Sequence, residues 1–225
     1  MEKPLYPSNY MRITQGYNTG SHIDSFAIDE GGKDQSISTL KAPFTGIIKK
    51  IYTQDANEIW LESINEVEYP DGTIDYMTIM LAHANDVSDL FVGKRIEKGE
   101  EFYSEGTKGN ATGNHCHIEC GKGKFTGTGW YKNKNDNYSI NNGKAPEECL
   151  WIDESIIILN DNGYKFKKIN INNKENNQIE ENIVQESQKE DNESDITPVF
   201  VCSKKGLYGI YLDEKDELYL KKNKG

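Results

Sequence analysis

Four histidines are the residues in this chain whose type and spacing promise chemistry. His22 opens His22-Ile23-Asp24-Ser25-Phe26-Ala27-Ile28-Asp29, His83 stands alone in Leu81-Ala82-His83-Ala84, and His115 and His117 lie in Gly113-Asn114-His115-Cys116-His117-Ile118-Glu119. Side chains alternate along a β-strand with period two, so a His-x-His pair puts both imidazoles on one face and turns Cys116 and Ile118 together toward a core. Two imidazoles joined by a third histidine and a carboxylate form a ligand set that Zn²⁺ prefers, with one position left for water. Taken singly, each histidine reads as an ordinary surface or core residue. Together they read as a catalytic metal site.

Elements that would position such a site are legible in the same stretch. From Ile13 to Glu119 the signals are those of an all-β domain, with strand-like runs at Gly46–Tyr52, Glu58–Glu62 and Tyr76–Leu81 separated by turn residues. Pro70-Asp71-Gly72 predicts a hairpin turn, because Gly accepts positive φ and Asp caps the turn. Several short strands at this spacing predict an antiparallel sheet sandwich. Cys116, Cys120, Cys149 and Cys202 show no paired zinc-finger spacing, and in a chain of 225 residues they do not form a disulfide scaffold. Cys116 is expected to be a buried structural thiol.

His22 to Asp29, the isolated His83 and Gly113-Asn114-His115-Cys116-His117 resemble the zinc peptidases of the lysostaphin/LytM type, the M23 family, which cut peptidoglycan cross-links. Phe102–His115 resembles the versions found in bacteriophage lysins. The likeness runs from about Met11 to about Gly123 and weakens to about Phe166. One departure is the spacing: His22 and Asp29 are separated by six residues, where the commoner family motif has three, which makes Asp24 a competing carboxylate. Asp29 is preferred because it follows the apolar pair Ala27-Ile28, as the family's ligand does. Lys41–Ile48 and Val92–Phe102 resemble the two halves of a barrel-sandwich hybrid, a fold shared with biotinyl and lipoyl carriers and with sugar-phosphotransferase proteins, so fold alone does not decide function.

The resemblance implies that His22, Asp29 and His117 bind Zn²⁺ and that His83 and His115 are catalytic without binding the metal. It makes His115 the candidate general base and His83 the group that stabilises the oxyanion or protonates the leaving amine, with the two roles exchangeable. Glu119 continues the same strand face as a candidate partner for His117. Asn114, Trp130 and Tyr131 are candidate substrate contacts, and Tyr138 is a further aromatic in the same region. The implied activity is zinc-dependent endopeptidase action on bacterial peptidoglycan by a phage endolysin. Two alternatives stand beside it: a catalytically silent wall-binding or phage structural module on the same fold, and a phosphocarrier using His83 and His115.

Composition narrows the rest. A net charge of −11 argues against nucleic acid as a partner, and eight acidic residues against two lysines between Ile169 and Asp195 supply −6 of it. No apolar run approaches the ~20 residues of a membrane helix, so no stable membrane insertion is expected. Met1-Glu2-Lys3-Pro4-Leu5-Tyr6-Pro7 carries no apolar stretch, so no secretory signal is expected; the implied location is the host cytoplasm, with holin-type release to the wall. Residues 1–167 form the expected peptidase domain. Residues 168–196, rich in Asn, Gln, Glu and Lys, are expected to be a disordered acidic linker. Residues 197–225 predict three short strands, too few to build a core alone, and hence a wall-binding or self-associating element.

Overall fold

Alternating apolar residues build one large antiparallel-dominated sheet. The structure, a computed structural model, describes residues 1–170 and the backbone of 199–203, 206–212 and 218–222. The nine strands of the main sheet are β1 (Tyr10–Gln15), β2 (Ile28–Glu30), β3 (Gly46–Tyr52), β4 (Glu58–Ser63), β5 (Met77–Ala82), β6 (Arg95–Ile96), β7 (Cys116–Lys122), β8 (Gly143–Lys144) and β9 (Ile157–Asn160). They run in the order β9-β1-β2-β7-β5-β4-β3-β6, with β8 paired to β7. All pairings are antiparallel except β1 with β9. The protein is all-β, as the sequence predicts, and its one described α-helix is the single turn Pro146–Cys149.

The central strands are covered on both faces, which explains why every residue of β5 is buried. Ile59, Leu61, Ile79, Leu81, Cys116 and Ile118 point into the larger core, with Met11, Phe44 and Tyr69. Their alternates Trp60, Met80 and Ala82 point the other way, into a smaller cluster closed by Trp130 and Phe125. Cys116 is fully buried, as expected of a structural thiol. The site lies on the Trp60 face.

The Pro70-Asp71-Gly72 turn forms as read. It joins the small antiparallel ribbon Val67–Glu68 and Ile74–Asp75; Gly72 has φ +86° and Asp71 Oδ1 accepts the Thr73 N–H at 2.9 Å. The chain divides into two compact units, Met1–Glu175 and Asn176–Gly225. Lys168 and Ile169, expected at the head of the linker, instead belong to a strand, Lys167–Ile169, paired with Trp151–Asp153. The remainder of the expected linker, from residue 171, lies outside the described residues. In the second unit Val199–Ser203, Gly206–Leu212 and Leu218–Lys222 form an antiparallel three-stranded sheet. Among the described residues no helix is long and apolar enough to cross a membrane.

Candidate metal centre

Strand register brings the first two donors together. β2 and β7 pair so that Asp29 stands opposite His117, and β5 flanks β7 on its other side with Ala82 opposite His117. His22 arrives from the short 3-10 turn Gly20–His22 and is 3% exposed. His22 Nε2 and His117 Nδ1 each lie 3.3 Å from Asp29 Oδ1, and the three donor atoms fall within 4.8 Å of one another. Asp29 Oδ1 is nevertheless buried without a hydrogen bond. Two imidazole nitrogens stand close to it, without hydrogen-bond geometry but near enough to act on its charge. Three donors that converge this closely are what a small cation needs, and a two-histidine, one-carboxylate set is a zinc set with an open position. The residues fit the metal.

The opposite ring nitrogens fix the tautomers. His22 Nδ1 faces the Gly16 carbonyl at 3.3 Å, and His117 Nε2 faces Glu119 Oε1 at 3.4 Å. Both partners only accept hydrogen bonds, so those nitrogens carry protons and His22 Nε2 and His117 Nδ1 are left as the metal donors. Glu119 is 2% exposed, and its other oxygen accepts the Ile140 N–H at 3.0 Å. Burial pushes the Asp29 carboxyl up, but the His117 and His22 imidazoles outweigh it and hold the group well below the usual carboxylate range. Burial lowers His117, but its two carboxylate partners prevail and push it up to about 10. Without metal, His117 therefore keeps the proton that a cation would replace.

His83 and His115 stand beside these donors. Their ring centroids are 4.6 Å apart, and His115 Nε2 lies 3.7 Å from Asp29 Oδ1. His83 Nδ1 donates to the Lys108 carbonyl at 2.7 Å and His115 Nδ1 to the Gly113 carbonyl at 2.8 Å, so in the neutral tautomer of each ring Nε2 is the acceptor. Burial, the largest influence, lowers His83 to about 4, and the Lys108 carbonyl only partly offsets it. His83 follows β5 with φ +84°, a conformation that a residue with Cβ adopts only when its surroundings impose it. Its N–H donates to the Ala56 carbonyl at 2.7 Å and its carbonyl accepts the Lys108 N–H at 3.1 Å. Gly106 packs so closely that an added Cβ would sit 2.3 Å from the His83 carbonyl oxygen.

The competing carboxylate is elsewhere. Asp24 has φ +57° and pairs with Lys134 at 3.1 Å. Of the expected substrate contacts, Trp130 lines the cleft beside the metal donors and Tyr131 does not; strand alternation turns Tyr131 outward, 49% exposed. Asn114 also lies outside that cleft and donates from its side-chain amide to the Gln35 carbonyl at 2.9 Å. Tyr52, Glu58 and Ser139 line the cleft and were not singled out from the sequence. The strand Glu58–Ser63 was legible, but which of its faces meets the site depends on the β4–β5–β7 register.

No family model matches the sequence. The chain is 35% identical over 130 residues to Morphogenesis protein 1 of Bacillus phage B103; the match covers 56% of this chain and 34% of that relative's length. The chain is also similar to solved structures of M23 peptidases. A zinc-containing peptidase from Vibrio cholerae is 18% identical with a TM-score of 0.41, over 53% of this chain and 37% of that one. The catalytic domain of the prophage-encoded M23 protein EnpA from Enterococcus faecalis is 16% identical with a TM-score of 0.40, over 54% and 88%. The catalytic domain of lysostaphin from Staphylococcus simulans is 20% identical with a TM-score of 0.36, over 56% and 84%.

Proposed function

We propose that this protein is a zinc-dependent endopeptidase that hydrolyses peptide cross-links of bacterial peptidoglycan, made by a phage to open its host's wall from the cytoplasmic side. One observation carries the proposal: His22 Nε2, Asp29 Oδ1 and His117 Nδ1 converge with Asp29 Oδ1 buried and unbonded, while two further imidazoles stand alongside. Bound there, Zn²⁺ would supply Lewis acidity, lowering the pKa of a water to about 7 and polarising the scissile carbonyl.

The chain's own residues handle the protons. In their neutral tautomers His115 Nε2 and His83 Nε2 are acceptors, so each can take a proton and then pass it on. The proton taken from water at His115 Nε2 can be delivered to the leaving amine. His83 stands beside the same donors and can exchange roles with His115, taking the water's proton at Nε2 and giving it to the leaving amine. Glu119 is a positioning residue that fixes the His117 ring.

The test is zinc content together with turbidity loss of purified Gram-positive walls. Wild type is expected to carry about one Zn²⁺ and to clear walls, with activity lost to a chelator and restored by zinc. His115→Ala is expected to keep the metal and clear nothing. Similarity to a phage morphogenesis protein favours one second reading, a silent wall-binding or structural module of the phage particle. Zinc and wall binding by the wild type without any solubilisation would establish that reading in place of the first.

A further inference from the structure

We propose that the cleft beside the metal donors holds a subsite for a primary ammonium group, with the Glu58 carboxylate as its counter-ion. The cleft, of about 250 Å³, is lined by His83, His117 and Glu119 from the site and also by Glu58, Ser139 and Trp130. β4 and β5 pair Trp60 with Met80, and β5 and β7 pair Met80 with Glu119 and Ala82 with His117. Glu58 is two residues before Trp60 and shares its face, which puts it two strands, ~10 Å, from His117. That is about the length of one peptide residue and its side chain. This proposal deepens the peptidase reading and rests on it.

Two polar atoms in the cleft await a partner. Glu58 is 9% exposed and Ser139 is 4% exposed, yet Glu58 Oε2 and Ser139 Oγ make no hydrogen bond. A buried carboxylate oxygen left without a donor costs free energy. Among the described residues Glu58 has no ion pair, although Asp55 adds a second acidic group to the same cleft. A ligand meeting Glu58 Oε2 supplies the missing donor, and a positive charge suits the two carboxylates of Asp55 and Glu58.

The remaining wall specifies a compact cation. Trp130 packs edge-on against Tyr52 at 5.0 Å and against Trp60 at 4.9 Å, and Tyr138 lies 5.5 Å from it. Aromatic surfaces beside a carboxylate attract an ammonium through their ring quadrupoles. The shelf already holds one: Lys50 Nζ sits 4.0 Å from the centroid of Trp130. That amine donates to the Thr128 carbonyl at 2.6 Å and feels the Glu58 charge without pairing with it, and Glu58 Oε2 is left without a hydrogen bond. On a wall peptide the ammonium is either a free α-amine or an amine-bearing side chain.

Calorimetry on the zinc-loaded full chain separates the two sources. The probes are Nα-acetyl-lysine methylamide for a side-chain amine and alanyl-alanine methylamide for an α-amine, each compared with its N-acetylated neutral form. One probe is expected to bind, its acetylated form is not, and Glu58→Gln is expected to weaken binding about tenfold or more. Ser139→Ala, which changes no charge, is expected to weaken the same probe by a smaller factor; it serves where Glu58→Gln does not fold. Acetylating the free amines of purified walls is expected to slow fragment release by wild type about tenfold, and Glu58→Gln is expected not to discriminate. Equal binding of amine and acetylated probes, or wild-type binding by Glu58→Gln, overturns the subsite. Walls cleared alike with and without acetylation overturn it and leave the peptidase standing. Glu58-dependent probe binding by a protein that cleaves no wall leaves the subsite standing and removes the peptidase.

Discussion

At the scale of single residues, the four histidines share one device. Each has a ring nitrogen tied to a group that only accepts: the Gly16, Lys108 and Gly113 carbonyls for His22, His83 and His115, and Glu119 for His117. Only for His117 is that partner a carboxylate, and the consequence is measurable. Zinc must displace the proton that Asp29 and Glu119 hold on a ring pushed up to about 10, so binding at neutral pH is expected to release about one proton and to strengthen as pH rises. Calorimetry in buffers of different ionisation heat reads that proton. Glu119→Gln is expected to reduce its release and to weaken zinc about 10–100-fold, with the fold intact. The sequence showed the histidines and Asp29 because the chemistry is written in residue types. It could not show Glu58 or Ser139, since an unpaired buried oxygen is a property of packing.

At the scale of elements, the site depends on strands that were readable and on loops that were not. Periodicity gave Gly46–Tyr52, the Glu58 strand and the strand ending at Ala82 nearly as they form, because their apolar alternates have a core to face. It gave no warning of the 3-10 turn that delivers His22, nor of the left-handed backbone at His83, both imposed by tertiary contacts. Glu105 shows how loops are tied beneath the site: 1% exposed, it accepts the Ser38 N–H at 3.2 Å just before the Gly106–His115 bridge. Burial is the main cause that pushes its carboxyl up to about 7. A raised carboxyl favours the folded state below its unfolded pKa, about 4.5, and that advantage is lost as pH rises through about 7. Glu105→Gln should therefore match wild type near pH 5 and exceed it by about 1–2 kcal/mol at pH 8, compared by thermal unfolding of both proteins in chelator. Equal differences at the two pH values would show that Glu105 does not ionise with burial.

At the scale of the whole molecule, the proposed chemistry belongs to one of two compact units. Every proposed donor and every proposed proton carrier lies within Met1–Glu175. The second unit contributes three strands, Val199–Ser203, Gly206–Leu212 and Leu218–Lys222, which the turn residues and tyrosine-rich runs of the sequence foretold to within a few residues. The acidic stretch from Ile169 to Asp195, which spans the boundary between the units, supplies more than half of the net charge of −11, so charge says little about what the unit holding the metal donors grips. A module that only raises local concentration acts on an insoluble substrate and leaves turnover of a soluble one unchanged. Ending the chain after Glu175 should therefore preserve zinc stoichiometry and the cleavage rate of soluble cross-linked wall fragments, while lowering both sedimentation with whole walls and the rate of clearing them. Equal loss on soluble fragments and on walls would instead mean that the second unit supports the catalytic fold. Unchanged behaviour on both would free it for self-association, which the sedimentation coefficient of full-length and shortened chains reads directly.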